Sequence, residues 1–461
     1  MSNIMNPATP EAGAVRVPEA ASIKRSHQQF RQTRRRVWRG MGLLALAAIV
    51  LLTAFGPFPW QLLGQATLLL SIGVVVLLVL GMLLVTSGIA AITRERKRIL
   101  AWIQRLVRLS LVLLILLIGI GGAVIGSQWH ASTPPILDAN GKPLPGSIAT
   151  MEQVTLNGSQ QWITVRGKNV HNPILLYLGI GGPGAGGLPN NAMSLAALEE
   201  HFVVVNWDQP GTGKSYNTVP ISTLTPQRFV DDAHALVQML RTRFHQQKVY
   251  VLGDSWGTIP GIWLVQKYPN LFYAFVGRGQ MVNTTENDIM GYEFAMKYAT
   301  DHGDTRTVET LRRNGPPPYV GDGMALKYLA YLDILNSYMG SPGYALSLPL
   351  AAEVTPEYGL VDKFNFLRGL YEEFTAVYPQ LRDLDFTKQA ASLQVPVYFF
   401  VGRKDVNAMA VLVERYYNVL RAPHKELIWF EHSGHGTSEA DAQQFIDVMV
   451  NHVLIASHTT G

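Results

Sequence analysis

Three long runs of uncharged, mainly apolar residues occupy most of the chain between residues 41 and 126, and they constrain its fold more than any other feature. A helix needs about 20 mainly apolar residues to cross a bilayer. The runs predict helices at about residues 41–60, 66–92 and 107–126, an all-α transmembrane region of about three helices. A buried core helix is the alternative for each run. A signal peptide is disfavoured, because about 40 residues precede the first run and no small-residue cleavage site ends it.

Basic residues around these runs predict the orientation. Arginines and lysines are frequent in residues 1–40 and again between the second and third runs, whereas the loop between the first two runs has no charge. Loops rich in Lys and Arg stay on the cytoplasmic side. We therefore expect a basic cytoplasmic N-terminus, three crossings of the plasma membrane and an extracytoplasmic domain after residue 126.

Charge and cysteine content exclude several classes of function. The first 108 residues hold 14 Lys and Arg against 3 Asp and Glu, whereas the remainder holds 24 against 30. The larger part is therefore mildly acidic, which disfavours a nucleic-acid partner. The chain has no cysteine, so a disulfide scaffold, a thiolate nucleophile and a Cys-ligated metal are excluded.

The rest of the chain has the pattern of an α/β domain. Residues 127–149 are rich in proline and turn residues and predict a linker. From residue 150 to 461, short apolar runs alternate with helix-length segments, which predicts a mostly parallel sheet covered by helices on both faces. No strand-like run occurs at about 281–391, so this interval is interpreted as a helical cap inserted between two strands.

A Gly-Asp-Ser-Trp-Gly motif at residues 253–257 directly follows the strand-like run KVYVL and precedes a helical segment. In this context G-x-S-x-G presents a serine on a tight strand-to-helix turn. Ser255 is thus the candidate nucleophile, and the backbone N–H of Trp256 is a candidate oxyanion donor. A second donor is expected from the glycine-rich loop at residues 179–187, with Gly182 as the candidate and Gly181 as the alternative.

A nucleophilic serine needs a base and an orienting acid, expected later in the chain in the order acid, then histidine. Asp405 follows the run VPVYFFVGR, and His435 follows ELIWF, so both lie just past the C-terminal ends of strands. His432 is the competing histidine. The Ser-Gly pair before His435 favours its presentation at a loop tip.

The segment DQPGTGKS at residues 208–215 ends like a phosphate-binding loop. That motif requires glycine where Asp208 stands, and no helix start follows it. We therefore expect no nucleotide partner.

Together these residues resemble the α/β-hydrolase fold, and within it the proline iminopeptidase-like (S33) serine peptidases. The resemblance covers roughly residues 150–455 and is carried by four blocks: GGPG at 181–184, DQPGTGKS at 208–215, GDSWG at 253–257, and Asp405 with SGH at 433–435. It implies a Ser255, Asp405 and His435 triad, a helical cap, and release of N-terminal residues, often proline, from short peptides.

The resemblance also implies a way to hold the substrate's α-ammonium. Aminopeptidases of this group use glutamates of the cap, and the candidates here are Glu286, Glu293, Glu372 and Glu373. Asp254, beside the nucleophile, either senses the same amine or only bonds to the backbone near the turn.

The sequence thus predicts a membrane-anchored serine hydrolase that forms an acyl-enzyme and needs neither metal nor organic cofactor. An aminopeptidase acting on short peptides is favoured. One alternative is a carboxylesterase or lipase-like enzyme acting on small esters, and another is a non-catalytic binding module on a hydrolase fold. The complete triad disfavours the binding module.

Overall fold

The structure is a computed structural model that describes residues 96–179, 181–188, 195–340 and 355–455. The basic segment 1–40 and the predicted spans at 41–60 and 66–92 lie outside these residues. Contacts divide the chain into two units, Met1–Leu114 and Ile115–Gly461. The second unit contains the sheet and the candidate site.

Helix α1, Arg96–His130, includes the third predicted span. Its segment Ala101–His130 is long and apolar enough to cross a membrane, and no other helix of the described ranges meets that test. Large apolar side chains such as Ile115 and Ile120 are more than 60% exposed. Length and composition therefore permit a membrane span.

Eight strands form one sheet in the order β1-β2-β4-β3-β5-β6-β7-β8. Strand β2 pairs antiparallel with β1 and β4, and the other pairs are parallel. The predicted mostly parallel sheet is confirmed. The strands are β1 Ile148–Leu156, β2 Ser159–Gly167, β3 Ile174–Leu178, β4 Val203–Asp208, β5 Val249–Asp254, β6 Phe272–Arg278, β7 Val397–Gly402 and β8 Lys425–Phe430.

Helices cover both faces of this sheet. Alternate residues of one strand enter different cores: Leu176 belongs to one apolar cluster and Leu175 to the other. Burial on both faces explains why the central strands are continuous apolar runs. The remaining α-helices of the described ranges are α2 Pro226–Phe244, α3 Thr258–Lys267, α4 Thr284–Asp301, α5 Thr305–Asn314, α6 Met324–Tyr338, α7 Leu360–Val377, α8 Phe386–Gln389, α9 Ala410–Val419 and α10 Ala442–Val448.

Helices α4 to α8 lie between β6 and β7, in the interval interpreted as the cap. Helix α7 approaches the loops at the sheet edge very closely. A Cβ added at Gly369 would lie 2.7 Å from the carbonyl oxygen of Gly184 and 2.8 Å from that of Gly211. Only glycine permits this contact, so α7 rests directly on the two loops that carry the GGPG and DQPGTGKS blocks.

Asp208 organises the second of these loops. Its buried carboxylate accepts hydrogen bonds from the backbone N–H groups of Leu188 and Lys214 and from the hydroxyl of Tyr358. Burial raises the pKa of Asp208 to about 7. The Lys214 ammonium pairs with Asp362 of α7 at 2.8 Å. The segment that superficially resembles a phosphate loop thus joins the sheet to the cap.

The start of the predicted linker is fixed to the domain. The backbone N–H of Leu360 donates to Ser127 Oγ at 3.0 Å, and that of Ser132 donates to the carbonyl of Pro356 at 3.0 Å. Farther along, β1 begins at Ile148, inside the predicted linker. The sequence IATMEQVTL mixes polar and apolar residues because β1 is a half-exposed edge strand, so it lacks the apolar run used to predict the others.

Candidate active site

Ser255 sits on a sharp turn between β5 and α3. Its backbone is left-handed, with φ of 54°, a conformation uncommon for a residue with a side chain. A Cβ at Gly253 would lie 2.8 Å from the carbonyl oxygen of Gly257, and one at Gly257 would lie 2.0 Å from that of Leu178. Both glycines of the motif are therefore required by close backbone contacts, and the turn lifts Ser255 above the sheet edge.

The structure brings the three predicted residues together at this edge. His435 Nε2 lies 2.8 Å from Ser255 Oγ, and His435 Nδ1 lies 3.0 Å from Asp405 Oδ2. These are hydrogen-bonding distances. The arrangement is that of a nucleophile, a base and an acid that orients the base.

Two backbone groups fix the carboxylate of Asp405. The N–H groups of Asn407 and Ala408 both donate to Asp405 Oδ1 at 2.9 Å. The Asp405 side chain is 2% exposed and that of His435 is 10% exposed. The pair is therefore held in place and largely shielded from solvent.

This environment shifts the histidine toward its charged form. Burial alone lowers the pKa of His435, but the charge and hydrogen bond of Asp405 outweigh that effect and raise the pKa above its ordinary value. A more basic imidazole accepts the serine proton more readily.

The competing histidine points elsewhere. The His432 side chain is 65% exposed and lies 3.4 Å from Asp441, away from the serine. The loop that carries His435 packs tightly against the end of β7, since a Cβ at Gly402 would lie 2.0 Å from the carbonyl oxygen of Gly434. This contact seats the Ser-Gly pair against β7 and directs His435 toward Ser255.

The candidate oxyanion donors belong to neighbouring segments. The glycine loop begins beside the turn, because the carbonyls of Leu178 and Gly179 both border Gly257. Gly182 follows three residues later, and a Cβ there would meet nothing within 4 Å. Trp256 is held by its indole N–H, which donates to Gln209 at 2.9 Å. These contacts place both predicted segments at one edge of the sheet.

Asp254 lies in a buried ion pair that the sequence analysis did not predict. Arg278 Nε donates to Asp254 Oδ2 at 3.0 Å, and the Tyr177 hydroxyl donates to the same oxygen. The guanidinium also bonds to Thr437, two residues after His435. In the sequence, the feature that could have indicated this pair is the arginine that ends the otherwise apolar run FYAFVGR. The Asp254 charge is thus already paired inside the fold, which favours a structural role over substrate binding.

The four cap glutamates have different surroundings. Glu286 is ion-paired with Arg415 at 2.7 Å, and Glu293 is exposed on α4. Glu372 bonds to Tyr216 and Arg368. Only Glu373 is fully buried, and neither of its oxygens has a hydrogen-bond partner among the described residues.

Comparisons with known proteins agree with this architecture. A family model described as serine aminopeptidase, S33, matches residues 192–309. The probable aminopeptidase YbaC of Bacillus subtilis is 28% identical over 67% of this chain and 98% of its own length. The putative carbamate hydrolase RutD of Pantoea ananatis is 34% identical over 62% of this chain and 90% of its own length.

Solved structures are also similar. The proline iminopeptidase of Mycobacterium smegmatis has a TM-score of 0.49 and 17% identity, covering 68% of this chain and 100% of that one. The sheet order and the serine turn define the α/β-hydrolase class. With the matches in sequence, the chain belongs to the family of serine aminopeptidase-like α/β hydrolases.

The Asp254 ion pair yields a testable prediction. Asp254 contributes negative charge that raises the pKa of His435. Asp254→Asn should therefore move the acidic limb of the pH profile of kcat/KM to lower pH, equally for substrates with and without a free amine. Tyr177→Phe removes a hydrogen bond to the same carboxylate without changing its charge and should leave the limb in place. If Asp254→Asn lowered kcat/KM only for substrates with a free amine, the structural role of Asp254 would be contradicted.

Proposed function

We propose that this chain is a membrane-anchored serine peptidase that releases N-terminal residues from short peptides by way of an acyl-enzyme. The observation that carries the proposal is the hydrogen-bonded series from Ser255 to His435 to Asp405 on a strained turn. The family supports hydrolysis in general, and its named members include a probable aminopeptidase.

In the proposed mechanism, the Ser255 hydroxyl attacks the scissile carbonyl as His435 Nε2 takes its proton. Asp405 holds the imidazole and stabilises its charged form. The N–H groups of Trp256 and Gly182 hold the tetrahedral oxyanion. His435 then gives the proton to the leaving amine, and an ester on Ser255 remains. A water molecule, deprotonated by His435, hydrolyses this ester and restores the serine.

Glu373 is the cap residue that we propose for binding the substrate's α-ammonium. It lies on α7 against the loop after β4, since a Cβ at Gly211 would be 2.7 Å from Glu373 Oε2. Two residues earlier, Gln209 bonds to Trp256 beside the nucleophile. Glu373 therefore faces the loop that contacts the serine turn.

Burial raises the pKa of Glu373 well above its usual range. A buried carboxyl without a partner is costly to ionise, and a nearby positive charge removes that cost. A substrate ammonium supplies this charge. The free amine would thus favour the ionised form of a carboxyl that burial otherwise makes hard to ionise.

The anchor and the location of the site are part of the proposal. The uncharged runs before residue 127 and the arginines beside them support insertion with the hydrolase domain on the extracytoplasmic side. Helix α1 supports it by length and composition. Short peptides outside the cytoplasm are the proposed substrates.

A substrate panel tests the activity. The purified full chain should hydrolyse amides of proline, alanine or leucine with a free amine, and should do so much faster than their N-acetylated forms. Ser255→Ala provides the background. Hydrolysis of short acyl esters alone would replace the peptidase by the esterase alternative. Peptide binding without any turnover would replace it by the binding module.

Glu373→Gln tests recognition of the amine. A hydrogen bond to a charged group contributes about 1.5–3 kcal/mol, so kcat/KM for free-amine substrates should fall about 10- to 100-fold. Ester substrates that lack an amine should be unaffected. The matched control is Glu372→Gln, since Glu372 is already bound to Tyr216 and Arg368. An equal fall in kcat/KM for free-amine and ester substrates would contradict the assignment of Glu373 to amine binding. An equal fall in Glu373→Gln and Glu372→Gln would contradict it as well.

The same variant has a second readout in stability. Folded Glu373 holds its proton at pH values where the unfolded chain releases it, so this group makes the wild type less stable as pH rises above the ordinary glutamate pKa. Glu373→Gln should show a higher melting temperature than wild type, with a difference that grows from acidic toward neutral pH. A difference independent of pH would contradict a raised pKa of Glu373 in the folded chain.

A further inference from the structure

The most exposed positions of cap helix α7 are all apolar or aromatic, and the charged residues beside them are partly buried. Leu360, Phe364, Leu367 and Tyr371 are 43–46% exposed, and they are the exposed positions of this helix. Their spacing of four, three and four residues aligns them in one stripe. The stripe extends over roughly 16 Å at 1.5 Å per residue.

The inner face of α7 is, by contrast, partly polar. Three of its six buried residues are Asp362, Asn365 and Glu373. A helix on the surface of a water-soluble domain normally has the opposite distribution, with apolar residues inward and charged residues outward. The pattern of α7 is that expected of a helix whose outer face contacts an apolar medium.

The position of α7 indicates which medium this is. The last turn of α1 contacts the start of α7: Gln128 Nε2 donates to Asp362 Oδ1 at 3.2 Å, and Ser127 Oγ accepts from the N–H of Leu360 at 3.0 Å. A Cβ at Gly359 would lie 1.6 Å from Gln128 Oε1, so the two segments are in close contact. The apolar run of α1 ends at Gly126, immediately before these residues.

If the run before Ser127 lies in the hydrocarbon core, Ser127 and Gln128 lie at the membrane surface, and Leu360 lies there with them. We propose that the apolar stripe of α7 lies in the head-group region of the outer leaflet, as interfacial helices do. The proposal rests on the membrane anchor of the proposed function. It places the helix that carries Glu373 on the lipid surface, so that the bilayer supports the cap.

The absence of cysteine makes a direct test simple, because a single introduced thiol can be labelled selectively. The full chain is reconstituted in phosphatidylcholine nanodiscs with or without lipids that carry a nitroxide, placed near the head group to quench the stripe positions and deep in the acyl chain to quench Ile115→Cys. Phe364→Cys, Leu367→Cys and Tyr371→Cys are each labelled with an environment-sensitive fluorophore. Val411→Cys is the matched control, since Val411 is an apolar residue of α9 with 47% exposure. Ile115→Cys, in α1, reports on the span itself.

We expect blue-shifted emission and loss of more than about half of the fluorescence for the three stripe positions, as for an interfacial helix, and little change for Val411→Cys. Quenching of Ile115→Cys without quenching of the stripe would overturn this inference and leave the anchor intact. Absence of quenching at Ile115→Cys would overturn the anchor and the inference together. Equal quenching of the stripe and of Val411→Cys would also overturn the inference, since the effect would not be specific to α7.

Discussion

The close approach of Gly257 to the carbonyl of Leu178 is the contact on which the candidate site depends. It holds the turn after β5 against the end of β3, and Ser255 is left in a left-handed conformation between them. Because β3 and β5 are neighbouring parallel strands, the same contact brings the glycine loop beside the serine. A side chain at residue 257 would separate these two segments. The strain at Ser255 is thus balanced by packing of the whole sheet edge.

The cap is also positioned by a glycine that permits a close backbone contact. Gly369 lets α7 rest on the carbonyls of both loops at the sheet edge, and the pair of Lys214 with Asp362 joins the same elements by charge. Glu373 follows Gly369 by four residues, so it occupies the same inward face of the helix. The contact that closes the cap therefore also determines which of the two adjacent glutamates is buried beneath the helix.

Much of the architecture could be predicted because parallel strands buried on both faces leave long apolar runs, and because Ser255, Asp405 and His435 each follow such a run. Strand β1 could not be found in this way, since an edge strand keeps polar residues. The pairing of Asp254 with Arg278 depends on strand register, which places these residues side by side although 24 positions separate them. Glu372 and Glu373 are adjacent in sequence, and only the orientation of α7 distinguishes the paired carboxylate from the buried one.

The central claim, that Ser255 is a nucleophile activated by His435, is tested most directly by covalent trapping. The full chain is treated with a fluorophosphonate, and the adduct is located by mass spectrometry of its peptides. We predict a single adduct on Ser255, formed faster as pH rises through the pKa of His435, and no adduct in Ser255→Ala. An unmodified wild-type chain, or equal modification of Ser255→Ala, would contradict the claim.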